Sequence, residues 1–140
     1  MGLRINGLDD FERKLAEIEK QIPNARSTFL KQEAEILLGS VRDKSPVAKV
    51  DGGTLRGSWK RTQPNGGIIE VYNNARRGKE YYALDVEYGH RQKVGQFVPA
   101  IGKRLKKPFV PGQHFLRDAV SEVEPNFLND AGDILEGLLK

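Results

Sequence analysis

Two histidines, His90 and His114, sit at either end of a lysine- and arginine-rich stretch, a combination that proton transfer or nuclease chemistry could draw on. No His-Glu-x-x-His pattern, phosphate-binding glycine loop or nucleophile elbow accompanies them, so they read as surface or interface histidines. Asp85 and Glu87 stand two apart on a segment that reads as a strand, where they share a face as paired acids or metal ligands do; isolated pairs of this kind are ordinarily solvated. Ser58 follows Gly57 but lacks the second glycine of a hydrolase elbow and reads as strand. With no cysteine there is no thiolate metal site, cysteine nucleophile or disulfide. No catalytic residue, metal or cofactor is expected, and the chain reads as a structural or interaction protein rather than an enzyme.

The basic stretch carries more information. Arg91, Lys93, Lys103, Arg104, Lys106 and Lys107 lie in it, Arg117 ends it, and no Asp or Glu occurs from Tyr88 to Arg117. Such a segment repels itself when free, so a negatively charged partner would help to order it. Phe97, Val98, Ile101, Leu105, Phe109 and Val110 are interspersed, and apolar side chains in a long loop favour a covering surface such as a neighbouring subunit. The alternative is a solvated loop that only aids solubility. Trp59, Tyr81, Tyr82 and Tyr88 could stack on bases, although aromatic residues in a small sheet more often anchor a core or an interface. The net charge of +4 and pI near 9.4 are a weak pointer to acidic partners.

The elements that position these residues follow from periodicity. Leu8, Phe11, Leu15, Ile18 and Ile22 recur at steps of three and four, which predicts a helix capped by Asn6 or Asp9 and ended by Pro23. A second helix is expected from Asn24 to Asp43, stopped by Ser45-Pro46, with a turn at Lys49-Val50-Asp51-Gly52-Gly53. Extended runs then span Leu55–Thr62 and Ile68–Tyr72, joined by a hairpin turn at Asn65-Gly66. Alternation over Tyr82, Leu84, Val86 and Tyr88 predicts a strand, with a short helix leading into Gly89 as the alternative. Residues 90–112, rich in glycine and proline, are expected to form a long exposed loop. A helix should follow from Gln113 to Glu124, with a break at Pro125 and a last helix or tail to 139. The sum is one α+β domain over residues 1–140: N-terminal helices over 8–43, a small antiparallel β-sheet over 54–89, the long loop, and a C-terminal helical region over 113–139 packed on the sheet.

No apolar run approaches the roughly 20 residues that a membrane-spanning helix needs. The N-terminus lacks a signal-peptide core, and Asn6 stands where a myristoylation site has Ser or Thr. The expected site of synthesis is the cytosol, with no membrane partner.

Three stretches stand in order: Ser45-Pro46 followed by Gly53-Thr54-Leu55-Arg56-Gly57-Ser58, then Tyr82-Ala83-Leu84-Asp85-Val86-Glu87-Tyr88-Gly89, then Pro111-Gly112-Gln113-His114-Phe115-Leu116-Arg117-Asp118-Ala119. Together they resemble the small siphophage virion proteins known as tail components of the HK97 type. In that family a Pro precedes a Thr-Gly-x-Leu-x-x-Ser stretch, a Tyr-Ala-x-x-Val-Glu-x-Gly stretch follows, and Pro-Phe-Leu-x-x-Ala opens the C-terminal helix. Here the Thr-Gly order is reversed, and Gln113-His114 stands where the proline before Phe115 belongs.

The resemblance implies a structural virion protein of a tailed phage or prophage without catalytic residues, acting at the head–tail (neck) interface or in tail completion. Implied partners are other virion proteins: head-completion or connector proteins, tail-tube or tail-terminator proteins, and further copies of the chain in a ring. The host cytoplasm during assembly, and then the virion, would be its location; a contact with DNA stays open. On this reading Gly89 and Gly112 satisfy positive φ, and Glu87, Tyr88 and Phe115 are sheet-to-helix packing and interface positions. Two other functions fit the composition. One is a small basic nucleic-acid-binding module in which the loop, Arg76, Arg77 and Lys79 contact phosphates. The other is a ribonuclease-like toxin using His90 or His114.

Overall fold

A computed structural model describes residues 7–48, 52–99 and 102–140. The expected cap Asn6, the residues Lys49-Val50-Asp51 of the predicted turn and the loop residue Ile101 lie outside them.

One helix, α1 (Leu8–Lys44), replaces the two expected before and after Pro23. A proline inside a helix forfeits one i→i−4 bond and crowds the preceding turn, a cost of about 3 kcal/mol. The ladder on either side stays intact, and the part beyond the proline is held by packing. Asp9 lies in the first turn with Asp10, and Arg42 and Lys44 lie in the last, all with the sign that suits the helix dipole. After Gly53 comes a single turn, α2 (Thr54–Gly57), where a strand was expected. Its buried Leu55 presents a carbonyl to Asn73 Nδ2 at 2.8 Å, and Arg56 donates to the Ser45 carbonyl at 3.0 Å; these ties fix the turn. Ser58 is accordingly the residue after a helical turn, not part of a strand.

Strand β1 (Trp59–Arg61) pairs antiparallel with β2 (Val71–Asn73), Lys60 opposite Tyr72. Asn65 bridges Ile68 across Gly66 and Gly67, whose φ values of 59° and 78° suit a tight hairpin turn; the expected hairpin forms, but with Gly66-Gly67 rather than Asn65-Gly66 at its centre. A two-residue ladder, β3 (Arg76–Arg77) with β4 (Glu80–Tyr81), follows. Then α3 (Ala83–Tyr88) takes the place of the expected strand, and the helical alternative holds. Leu84 and Tyr88 are exposed, whereas Tyr82, Ala83 and Val86 pack against the core, which is helical rather than alternating spacing. The predicted long loop contains strands β5 (Gly89–Arg91), β6 (Phe97–Val98), β7 (Lys103–Arg104) and β8 (Phe109–Pro111). The β content is therefore a set of two-stranded antiparallel ladders rather than one sheet. Helix α4 (Phe115–Leu139) runs through Pro125 without the expected break.

Helices α1 and α4 lie antiparallel. Phe29 meets Phe127 edge-on at 5.0 Å, and further along Lys44 Nζ reaches Glu122 Oε2 at 2.7 Å. Lys44, with Ser40 also donating, holds the Glu122 carboxyl below its ordinary range. Leu38, Val41, Leu55, Trp59, Ala75, Phe115 and Ala119 form the core. At its centre Trp59 stacks edge-on against Phe115 at 6.0 Å and donates from Nε1 to Ser45 Oγ at 2.8 Å, and Ser45 Oγ donates in turn to the Val41 carbonyl. The buried indole N–H and hydroxyl are thus satisfied, so Trp59 adds its apolar bulk without a polar penalty. The fold is α+β, with α4 packed along α1 and, through Phe115, on β1.

Candidate assembly interface

The basic segment folds back on itself as a two-stranded arm. At its base β5 pairs with β8, Gly89 opposite Pro111 and Arg91 opposite Phe109. Gln92 N donates to the Pro108 carbonyl at 3.0 Å. Further out Leu105 N donates to the Gln96 carbonyl at 2.9 Å, and β6 pairs with β7, Phe97 opposite Arg104 and Val98 opposite Lys103. The partner numbers sum to 200 at the base and to 201 beyond Gln96, so the outgoing limb holds one extra residue. That residue makes a β-bulge around Gly95, whose φ of 86° suits glycine. Sequence reasoning found the charge of this segment but not its hairpin, because glycines and prolines mask the short paired runs.

Arg91, Lys93, Lys103, Arg104, Lys106 and Lys107 are all exposed, and none forms an ion pair among the described residues. Phe97 and Phe109 are exposed as well, and Val98 is half-buried. Arg104 lies over the Phe97 ring at 6.0 Å and donates to the Gly95 carbonyl at 2.9 Å. A two-stranded hairpin is marginally stable alone in water, so this one gains from a covering surface.

The base, in contrast, is locked. Glu87 is buried at 3% exposure; its Oε2 accepts from Leu116 N at 2.8 Å and its Oε1 from Arg117 N at 3.0 Å. Helix α4 starts at His114, in left-handed geometry at φ 51°, and no side chain of its own caps it. The carboxylate of α3 supplies that cap and sits at the positive end of the α4 dipole. Gln113 N and His114 N donate to the carbonyls of Val86 and Glu87 at 2.8 and 3.1 Å, completing the tie. Asp85, by contrast, is exposed, and two residues on a helix point roughly 200° apart, so the expected paired-acid face does not exist.

Gly89 has φ 90°, and a Cβ there would lie 2.5 Å from the Val110 carbonyl oxygen. Gly112 has no positive φ, contrary to the expectation from sequence. Its requirement is close approach: a Cβ would lie 2.3 Å from the Glu87 carbonyl oxygen.

The other motif positions fall into two groups. Leu55, Phe115 and Ala119 are buried in the core, with Tyr82 and Leu116 packed against it. Pro46 and Ser58 are half-buried, while Thr54 and Tyr88 are exposed. His90 is exposed on β5, and His114 is half-buried beside the Tyr88 ring at 6.5 Å.

A second feature was not anticipated. An open apolar groove of 650 Å³ runs between α1, α4 and the β1–β2 hairpin, walled by Leu30, Leu37, Ile69, Val71, Val123 and Phe127. Glu33 lines it, half-buried, with Oε1 shielded and unpaired among the described residues. Burial first, and the neighbouring Asp130 carboxyl second, push the Glu33 carboxyl up to about 7.

A family model described as "Bacteriophage HK97-gp10, putative tail-component" matches residues 9–89, more than half of the chain. The match runs from α1 through the Pro46, Leu55 and Glu87 stretches and ends at Gly89, the first residue of the arm, short of the rest of the arm and of Phe115-Leu116-Ala119. No curated protein and no solved structure matches.

Proposed function

The chain belongs to the HK97-gp10 family of bacteriophage tail components, and from that premise we propose that it acts where tail meets head, in the neck or in tail completion. Membership makes it a structural part of a phage tail, with its place in the virion. In the proposed role it acts as one domain and works by shape and surface contact, transforming no substrate. Copies associate in a ring and adjoin head-completion or connector proteins on one side and tail-tube or terminator proteins on the other.

The observation that carries this reading is the arm: exposed, unpaired cations and exposed phenylalanines on a two-stranded hairpin whose base is clamped by Glu87. A free protein gains little from holding such a surface at a fixed angle. A subunit that must reach a neighbour gains a defined direction. Arg91, Lys93, Lys103, Arg104, Lys106 and Lys107 would meet an acidic surface, with Phe97, Val98 and Phe109 supplying the apolar contact. Removing residues 92–107 should leave the folded body intact and abolish head–tail joining in particles. Tailed, infectious particles carrying the shortened chain would refute the arm's role.

The same unpaired cations support a second reading, contact with nucleic acid through phosphates. It requires retention of DNA or RNA on filters at low salt, weakening steeply as salt rises. No retention at low salt removes it.

A further inference from the structure

The N-terminal part of α1 carries an apolar seam that the other described residues leave largely exposed. Leu8, Phe11, Leu15, Ile18 and Ile22 follow one another at intervals of three, four, three and four, and Ala25 and Phe29 continue the series. This is the narrow a/d stripe of a coiled coil, with Leu8, Leu15, Ile22 and Phe29 at a and Phe11, Ile18 and Ala25 at d. Phe29 is met by Phe127 of α4 and Ile18 and Ala25 are half-buried, but Leu8 is 60%, Phe11 59%, Leu15 48% and Ile22 46% exposed. Pro23 falls at the outward b position, so the proline inside the helix leaves the seam free. Arg13 and Asp10, at the outward f and c positions, pair with each other at 2.8 Å.

The flanking charges select the occupant. Glu12, Glu19 and Arg26 hold the e positions, and Lys14 and Gln21 hold g. In a parallel pair of such helices, each g residue faces the e residue five places on in the other copy. Lys14 then meets Glu19 of the second copy, twice by symmetry, and no like charges face one another. In the antiparallel register that matches every layer from Leu8 to Ala25, Glu12 instead lies nearest Glu19 of the second copy, a repulsion also made twice.

We infer that residues 8–26 of α1 form a parallel coiled-coil contact with the same segment of another copy. The contact does not involve the arm. It adds a two-fold pairing of copies to the proposed self-association, distinct from the head-to-tail contacts that close a ring, and it rests on that part of the reading alone. The seam spans fewer than three heptads, so the association is weak in isolation and gains from the high local concentration of subunits in an assembly.

The absence of native cysteine makes the test direct. In the full chain, Phe11→Cys places one thiol in the seam, where a parallel pair brings it against its own copy. The antiparallel register would hold the two thiols roughly 16 Å apart along the helices. Arg13→Cys places a thiol on the outward face. Under mild oxidation Phe11→Cys should give a disulfide-linked dimer at least about tenfold faster than Arg13→Cys. In sedimentation, Leu15→Glu should raise the dissociation constant at least about tenfold while the far-ultraviolet spectrum and unfolding midpoint stay unchanged, since Leu15 lies outside the core. Equal cross-linking of the two cysteine variants, or association untouched by Leu15→Glu, overturns the inference. Repeating the cross-linking with residues 92–107 removed separates the two readings: loss of head–tail joining with the cross-link retained assigns separate roles to arm and seam.

Discussion

Replacing Glu87 tests whether α3 holds the start of α4. Its two carboxylate oxygens accept at 2.8 and 3.0 Å from the Leu116 and Arg117 amides, and α4 has no cap of its own. A hydrogen bond to a charged acceptor contributes about 1.5–3 kcal/mol, and truncation leaves two first-turn donors unsatisfied. Water reaches these part-buried amides and recovers some of the loss, so Glu87→Ala should destabilise the chain by about 3 kcal/mol. For a chain of this size that corresponds to roughly 10 °C in Tm. Glu87→Gln keeps the shape but turns an NH2 group toward one of the donors, and should cost about half as much, roughly 1.5 kcal/mol. Urea unfolding followed by Trp59 fluorescence gives the free energies. Native-state hydrogen exchange at Leu116 and Arg117 locates the effect, because both amides should lose protection in Glu87→Ala before the core does. If Glu87→Ala unfolds within about 0.5 kcal/mol of the parent, or protects both amides as the parent does, the carboxylate is not the cap and the argument fails.

Two further predictions concern the body. Gly112→Ala should cost about 2–3 kcal/mol in urea unfolding, since the new methyl meets backbone that cannot yield, whereas Gly39→Ala, in the α1 interior with nothing within 4 Å, should stabilise by about 0.5–1 kcal/mol. Glu33, with its carboxyl raised from 4.5 to about 7 in the fold, binds a proton there that the unfolded chain does not hold between those values. Its contribution to stability therefore rises as pH falls through that window, so Glu33→Gln should unfold at higher temperature than the parent above pH 7 and lose that advantage near pH 5.

Periodicity carried the helical parts of the fold, because Leu38, Val41, Phe115 and Ala119 need only be apolar at the right spacing. At Pro125 the α1–α4 contact outweighs the single hydrogen bond that a proline removes, whereas Leu8, Phe11 and Leu15 before Pro23 are exposed, so the helix there runs through the proline on its own ladder. Alternation misled over Tyr82–Tyr88, where the inward residues are 82, 83 and 86. The charge of the arm was legible and its pairing was not, since antiparallel partners up to 22 residues apart leave no local trace. Glu87 stood in a recognised motif, yet its task is tertiary. The available signal lay elsewhere: α4 begins at His114-Phe115 with no Ser, Thr, Asp or Asn to cap it, so an acceptor had to come from another element.

The one-residue slip divides the arm into two short ladders, each with its own aromatic pair. Arg91 faces Phe109 in the inner ladder and Phe97 faces Arg104 in the outer one, so each sets a phenyl ring across from a guanidinium. A bulge bends its strand and raises the local twist, so the two ring–guanidinium pairs are rotated relative to one another and do not form one flat strip.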